Sequence, residues 1–137
     1  MKACAAVLFG IAFVGATRAA DDSAAETIHR ASVATDGLQR VSIEGGAYFF
    51  DPNRVIVKSG VPVELTVSVG PGVIPHSFVI QAPEAGIVVD EALSTRPVVI
   101  RFTPTTVGRY PFYCKNRLLF LQSHREKGME GVLDVVE

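Results

Sequence analysis

The sequence predicts an all-β fold, a Greek-key antiparallel β-sandwich of about seven or eight strands. Three observations carry that reading. Val61, Val63, Leu65, Val67 and Val69 alternate with Pro62, Glu64, Thr66 and Ser68, the period of two that gives a strand one buried face. Turn chemistry recurs at short intervals, at Gly45-Gly46, Asp51-Pro52-Asn53, Ser59-Gly60 and Gly70-Pro71-Gly72. A hydrophobic share of 48% over 137 residues gives one domain enough apolar material for a packed core.

In chain order, residues 1–19 read as a secretory signal peptide. Lys2 supplies the positive start, Ala3 to Ala16 is an apolar run, and Thr17-Arg18-Ala19 is a small-x-small cleavage signal. The run is short for a membrane span. Cys4 lies near the start and away from the cleavage point, which argues against a lipid anchor. Residues 20–38 form an N-terminal extension, in which Ser23-Ala24-Ala25-Glu26 resembles a capping box and predicts a short helix around 24–33. His29 within it reads as a solvated side chain. Residues 39–137 form the β-domain. Its expected strands are 39–44, 48–50, 54–58, 61–69, 76–81, 97–103, 108–114 and 129–137, with 82–96 as a loop containing one helical turn.

Losing Lys2 and Arg18 from the 13 basic residues leaves 11 against 14 acidic ones, net −3. That balance points away from nucleic acid and from anionic membrane surfaces. Cleavage also removes Cys4 and leaves Cys114 alone in an oxidising compartment. No internal disulfide can then form, and a lone cysteine there is either reactive or held by something.

The stretch from Tyr110 to Met129 holds Cys114, His124 and Met129, and Ile74-Pro75-His76-Ser77-Phe78 supplies one more imidazole upstream. Thiolate, thioether and imidazole form a soft ligand set that suits copper and not magnesium or calcium. Parity places Phe112 and Tyr110 on the side of Cys114. It likewise places Phe78 and Ile80 on the side of His76, and Gly131, Leu133 and Val135 on the side of Met129. Each candidate thus ends an apolar row. Taken singly, a core methionine, a core histidine and a buried inert thiol are the plainer readings of these residues. Glu84, Asp90, Glu91, Glu126 and Glu130 are carboxylate alternatives in or near loops, with Glu130 on the wrong parity to replace Met129. No Ser-His-Asp set, carboxylate pair or phosphate-binding glycine loop is evident, so an enzyme is not expected.

At these residues the chain resembles the cupredoxins, single-domain blue-copper-like proteins, over roughly Gln39 to Glu137. The segments that carry the likeness are Val55–Val69 leading into Pro75-His76-Ser77-Phe78, then Gly108-Arg109-Tyr110-Pro111-Phe112-Tyr113-Cys114, then His124, Met129 and the closing strand. The resemblance implies one mononuclear copper per chain. His76, Cys114 and His124 would be equatorial and Met129 axial. It further implies an exported one-electron carrier acting as a monomer with a redox protein partner. The alternative within the same likeness is a periplasmic copper-handling protein, or a module of a metal-uptake system without redox turnover. One departure stands out. Nine residues separate Cys114 from His124, where the family commonly has two to four, and residues 115–123 hold no second cysteine for a binuclear centre. That insertion carries Leu118-Leu119-Phe120-Leu121, with Lys115, Arg117, Arg125 and Lys127 around it. It reads either as a solvated rim with a hydrophobic lid over the metal, or as a docking face with an apolar centre and a basic rim suited to an acidic partner.

Overall fold

The structure is a computed structural model and describes residues 25–137. Ten strands form two sheets that share one core. They are β1 (Ile28–Arg30), β2 (Gln39–Gly46), β3 (Phe49–Asp51), β4 (Arg54–Lys58), β5 (Val63–Val69), β6 (His76–Ala82), β7 (Ile87–Leu93), β8 (Val98–Phe102), β9 (Gly108–Tyr113) and β10 (Glu130–Val136). One sheet runs β1-β4-β10-β9-β6-β7 and the other β3-β2-β5-β8.

The expected sandwich is present, and the periodicity that predicted it is visible in the burial. Val63, Leu65, Val67 and Val69 point inward from β5, and Val41 and Ile43 do so from β2. Opposite them lie Phe78, Ile80, Phe112 and Leu133. Phe50, Phe78 and Phe112 form an aromatic cluster with ring centroids 5.1–5.6 Å apart. Each such fully buried side chain contributes about 1.5–3 kcal/mol.

Four features differ from the sequence reading. Residues 28–30 are strand β1, not part of a helix. They pair parallel with β4 from Ile28↔Arg54 to Arg30↔Ile56, and Thr27 and Asn53 exchange hydrogen bonds at 2.8 and 3.0 Å. A sheet edge offering a ladder outweighs a local capping signal. Residues 82–96 are not an irregular loop either. A 3₁₀ turn at Pro83–Ala85 is followed by β7, paired along its whole length with β6. The acidic pair Asp90-Glu91 interrupts the apolar alternation of this edge strand, where exposed charge is the norm. The two added strands raise the count from seven or eight to ten. Finally, the sheets are mixed: β1/β4, β4/β10 and β2/β5 run parallel. The chain passes between sheets, so neighbours in space are not neighbours in sequence, and alternation says nothing about strand direction. The leader expected over residues 1–19 lies outside the described residues, as does the start of the 20–38 segment.

Topology places the candidate ligands together. β9 runs antiparallel to both β6 and β10. The start of β6 (His76), the residue after β9 (Cys114) and the residue before β10 (Met129) therefore share one end of the sandwich. The opposite end is closed by Gln39, fully buried. Its amide donates to the carbonyls of Lys58 and Val61 at 3.1 Å each, and its oxygen accepts from Lys58 N at 2.7 Å.

Candidate metal centre

Three of the four predicted residues converge. The ligand atoms of His76, Cys114 and His124 all lie within 4.8 Å of one another, and no other such cluster of histidine, cysteine and carboxylate groups occurs among the described residues. Cys114 Sγ is 3.4 Å from His124 Nδ1 and 4.0 Å from His76 Nδ1. Bond lengths of about 2.0 Å to nitrogen and 2.3 Å to sulfur around one ion place such donors roughly 3.5–3.7 Å apart. The observed spacings straddle that range, so the donor set fits a single metal ion.

Backbone hydrogen bonds tie the cluster together. Cys114 N donates to Met129 O at 3.0 Å, Met129 N to His124 O at 2.9 Å, and His124 N to Asn116 O at 2.9 Å. The turn from His124 to Met129 closes through Gly128, whose φ of 100° a side chain would strain. Met129 is fully buried, with its methyl against Gly45; a Cβ added there would stand 3.2 Å from it. Met129 is thus hydrogen-bonded through its backbone to the main chain of both Cys114 and His124, and its side chain fills the core at the same end.

The thiol is fully buried. Ser77 N donates to Sγ at 3.3 Å and Ser77 Oγ lies 3.7 Å from it. The same hydroxyl accepts from Lys115 N at 3.1 Å, which fixes its orientation. Asn116 Oδ1 sits 3.4 Å from Sγ. The two Ser77 groups donate to the sulfur, as suits a metal-bound thiolate, whereas the Asn116 oxygen accepts and pairs with the thiol S–H. Burial pushes both imidazoles below the usual histidine range; for His76 the neighbouring His124 adds to this, and for His124 the nearby Lys127 does. Neutral imidazole is the ligand form. The two rings are 4.9 Å apart, and Tyr48 packs edge-on to His124 at 5.0 Å. Tyr48 itself has φ 66°, and Lys127 caps its ring at 4.3 Å.

Ser77, Asn116 and Tyr48 were not singled out from the sequence. The first two carry a weak signal, since each lies within two residues of a candidate ligand; Tyr48 arrives from β2–β3 and carries none. The carboxylate alternatives do not join the cluster. Glu84 and Glu91 are exposed, while Asp90, Glu126 and Glu130 are engaged with basic side chains.

Those pairs change the expected basic rim. Lys115 pairs with Asp90, Arg117 with Glu126 at 3.1 Å, and Arg125 with Glu130 at 2.8 Å. Four cations face three carboxylates, so the rim is close to neutral. The apolar centre is present: Leu118, Leu119, Phe120 and Leu121 are exposed, Phe120 to 89%. Val73 (99%) and Ile74, just before His76, extend it.

No protein-family model matches the sequence, and no curated protein sequence matches it. Solved structures do match in shape. The metal-binding domain of the Cu(I)-exporting P-type ATPase CopA of Streptococcus pneumoniae D39, solved with Cu(I), superposes with a TM-score of 0.62. It is 24% identical over 83% of this chain and 100% of that one. Dithionite-reduced auracyanin from Roseiflexus castenholzii gives 0.56, with 20% identity over 78% and 99%. A multicopper oxidase gives 0.59, with 15% identity over 80% of this chain and 47% of that one. These proteins differ in task and share an architecture. The described chain is a β-sandwich with a His-Cys-His cluster at one end, and it has the cupredoxin fold.

Proposed function

We propose that this chain is an exported one-electron carrier holding one copper through His76, Cys114 and His124, with Met129 in the axial position. The observation that carries the reading is the cluster itself: two imidazoles and one buried thiol whose ligand atoms lie within 4.8 Å of one another, with Cys114 and His124 braced by backbone hydrogen bonds. When bound, copper would cycle between Cu(I) and Cu(II), and a thiolate with two imidazoles serves both states. The protein's own part is to hold that set rigid. Ser77 N–H steadies the sulfur, Tyr48 packs against His124, and the apolar end of the sandwich excludes water. Met129 in the axial position would be a weak thioether donor, stabilising Cu(II) less than a stronger ligand there would.

Export rests on the leader pattern of residues 1–19, with 20–38 as a linking segment and 39–137 as the working domain. As a carrier the chain would turn over no substrate of its own and would act as a monomer with a redox protein partner. The competing reading is a copper-handling protein, favoured by His76, which is only half-buried and offers the metal a way out. Burial of Cys114 and His124 weighs against easy release. The two separate in one experiment: repeated oxidation and reduction of the copper-loaded protein beside a Cu(I) chelator. A carrier keeps its copper through the cycles and shows a reversible one-electron couple. Loss of copper on each reduction would assign the protein to copper transfer.

A further inference from the structure

The outer face of the six-stranded sheet carries a second cluster of charged side chains, away from the metal end. Register aligns Arg30, Ile56, Asp134 and Arg109 across β1, β4, β10 and β9. Val55, Val57, Leu133 and Val135, next to them in sequence, belong to the core, so this row takes the opposite face. Arg54 joins the row from β4. The three arginines and Asp134 line a cavity of ≈ 290 Å³ whose apolar part includes Ile56 and Val107. That volume lies just under the roughly 300–1,000 Å³ of small-molecule pockets. Asp134 is five residues along the chain from Met129, roughly 17 Å at the rise of an extended strand.

The charges in this cluster do not cancel. Asp134 is buried and accepts from Arg54 Nε at 2.6 Å and from Arg109 Nε at 3.0 Å. One guanidinium would already neutralise it. Arg54 also donates from Nη1 at 3.1 Å to Glu26, an exposed carboxylate outside the lining. Among the described residues Arg30 has no ion pair and no side-chain hydrogen bond, and the terminal nitrogens of Arg109 have none either. Three cations thus meet two carboxylates. On the other sheet the count is even, with Arg40 and Arg101 against Asp36 and Glu64. An unused guanidinium fork matches the oxygens of a carboxylate or a phosphate.

We infer that this cavity binds a small soluble anion of the phosphomonoester class, with its phosphoryl group on Arg30 and Arg109 and its organic body on Ile56 and Val107. A phosphoryl group carries about −1.5 to −2 charge at pH 7 and three acceptor oxygens. It offsets the surplus cation and can serve two forks at once, where a carboxylate has only two oxygens to share. None of the candidate copper ligands lines the cavity, so the inference stands apart from the copper reading.

The test is an amide-shift titration of the ¹⁵N-labelled protein with phenyl phosphate, inorganic phosphate and benzoate. Phenyl phosphate should shift the amides of Arg30, Ile56, Gly108 and Arg109 saturably and leave those of His124 and Met129 in place. It should bind more tightly than inorganic phosphate, which lacks the apolar body, and than benzoate, which lacks the third oxygen. Arg30→Gln breaks no ion pair of the described residues and should weaken binding by about tenfold, as expected for one lost charge-assisted contact. Arg96→Gln, at an exposed position between β7 and β8, should leave it unchanged. The inference is overturned if no saturable shift appears, or if Arg30→Gln binds as wild type does. Equal affinity for inorganic phosphate or benzoate also overturns it, by reducing the cavity to an unselective cationic surface. So does sedimentation with phosphatidic acid vesicles that phenyl phosphate fails to reverse, which would assign the cluster to a lipid headgroup. Displacement of phenyl phosphate by a lower concentration of hexa-aspartate would assign it to an acidic protein and overturn the inference as well.

Discussion

The two loops that follow Cys114 are held by different forces. The turn from His124 to Met129 is braced by backbone hydrogen bonds to Cys114 and Asn116, and both of its end residues are buried. The insertion from Lys115 to Ser123 is held at its rim by side chains, through Glu126, Ser123 and Arg117, and its tip stands in solvent. The difference teaches that ligand spacing in sequence and ligand geometry in space are separable. Nine intervening residues do not spread Cys114 and His124 apart, because the hairpin returns the chain to Asn116 O before His124 begins. One loop positions the cluster and the other presents an exposed apolar tip beside it.

The largest effect is expected in the turn. Gly128→Val forces a branched side chain into φ 100° beside the Tyr48 carbonyl, at a cost of about 1–3 kcal/mol of strain. Thermal denaturation should register it, and copper affinity should fall with it because His124 and Met129 are both displaced. Unchanged affinity would mean that the turn does not set the ligands. Met129→Leu is milder, a swap of similar volume that costs under about 1.5 kcal/mol. It should keep copper and colour while raising the reduction potential, since losing a weak donor destabilises Cu(II) more than Cu(I). A potential identical to wild type would reduce Met129 to a core residue. The smallest effect belongs to the insertion. Hydrogen bonds from Ser123, with Arg117 nearby, hold the Glu126 carboxyl below its ordinary value of 4.5. A carboxylate so lowered stabilises above that value and loses its contribution as pH falls below it. Amide exchange in residues 117–123 should therefore quicken below about pH 4.5, in step with Glu126→Gln at neutral pH, while the copper spectrum of that variant stays put. A spectrum that moved with Glu126 would couple the two loops after all.

Much of the building loop was legible in the sequence. The apolar rows ending at Cys114 and Met129 are strand parity, and parity survives folding: Tyr110 and Phe112 on one side, Leu133 and Val135 on the other, are all buried. What surrounds the ligands was less so. Ser77 acts through a backbone N–H, which every residue but proline owns, and Tyr48 reaches His124 only because β2 and β3 end beside it. The basic rim misled for a related reason. Lys115 and Asp90 are 25 residues apart in sequence and meet only once β7 pairs with β6. β7 itself hid behind Asp90 and Glu91. Strand direction was beyond reach, since alternation is the same for parallel and antiparallel neighbours.

The central claim is that Cys114, between the two loops, is the thiolate of a single mononuclear copper site. Titrating the apo-protein with Cu(II) while recording the visible spectrum tests it most directly. An intense thiolate-to-copper band should grow and stop at one equivalent. Cys114→Ser should abolish the band and weaken copper binding by more than the roughly 10–100-fold typical of losing a supporting group, while the apolar sandwich remains folded. A band that persists in Cys114→Ser, a wild-type endpoint at two equivalents, or no band at all would contradict it.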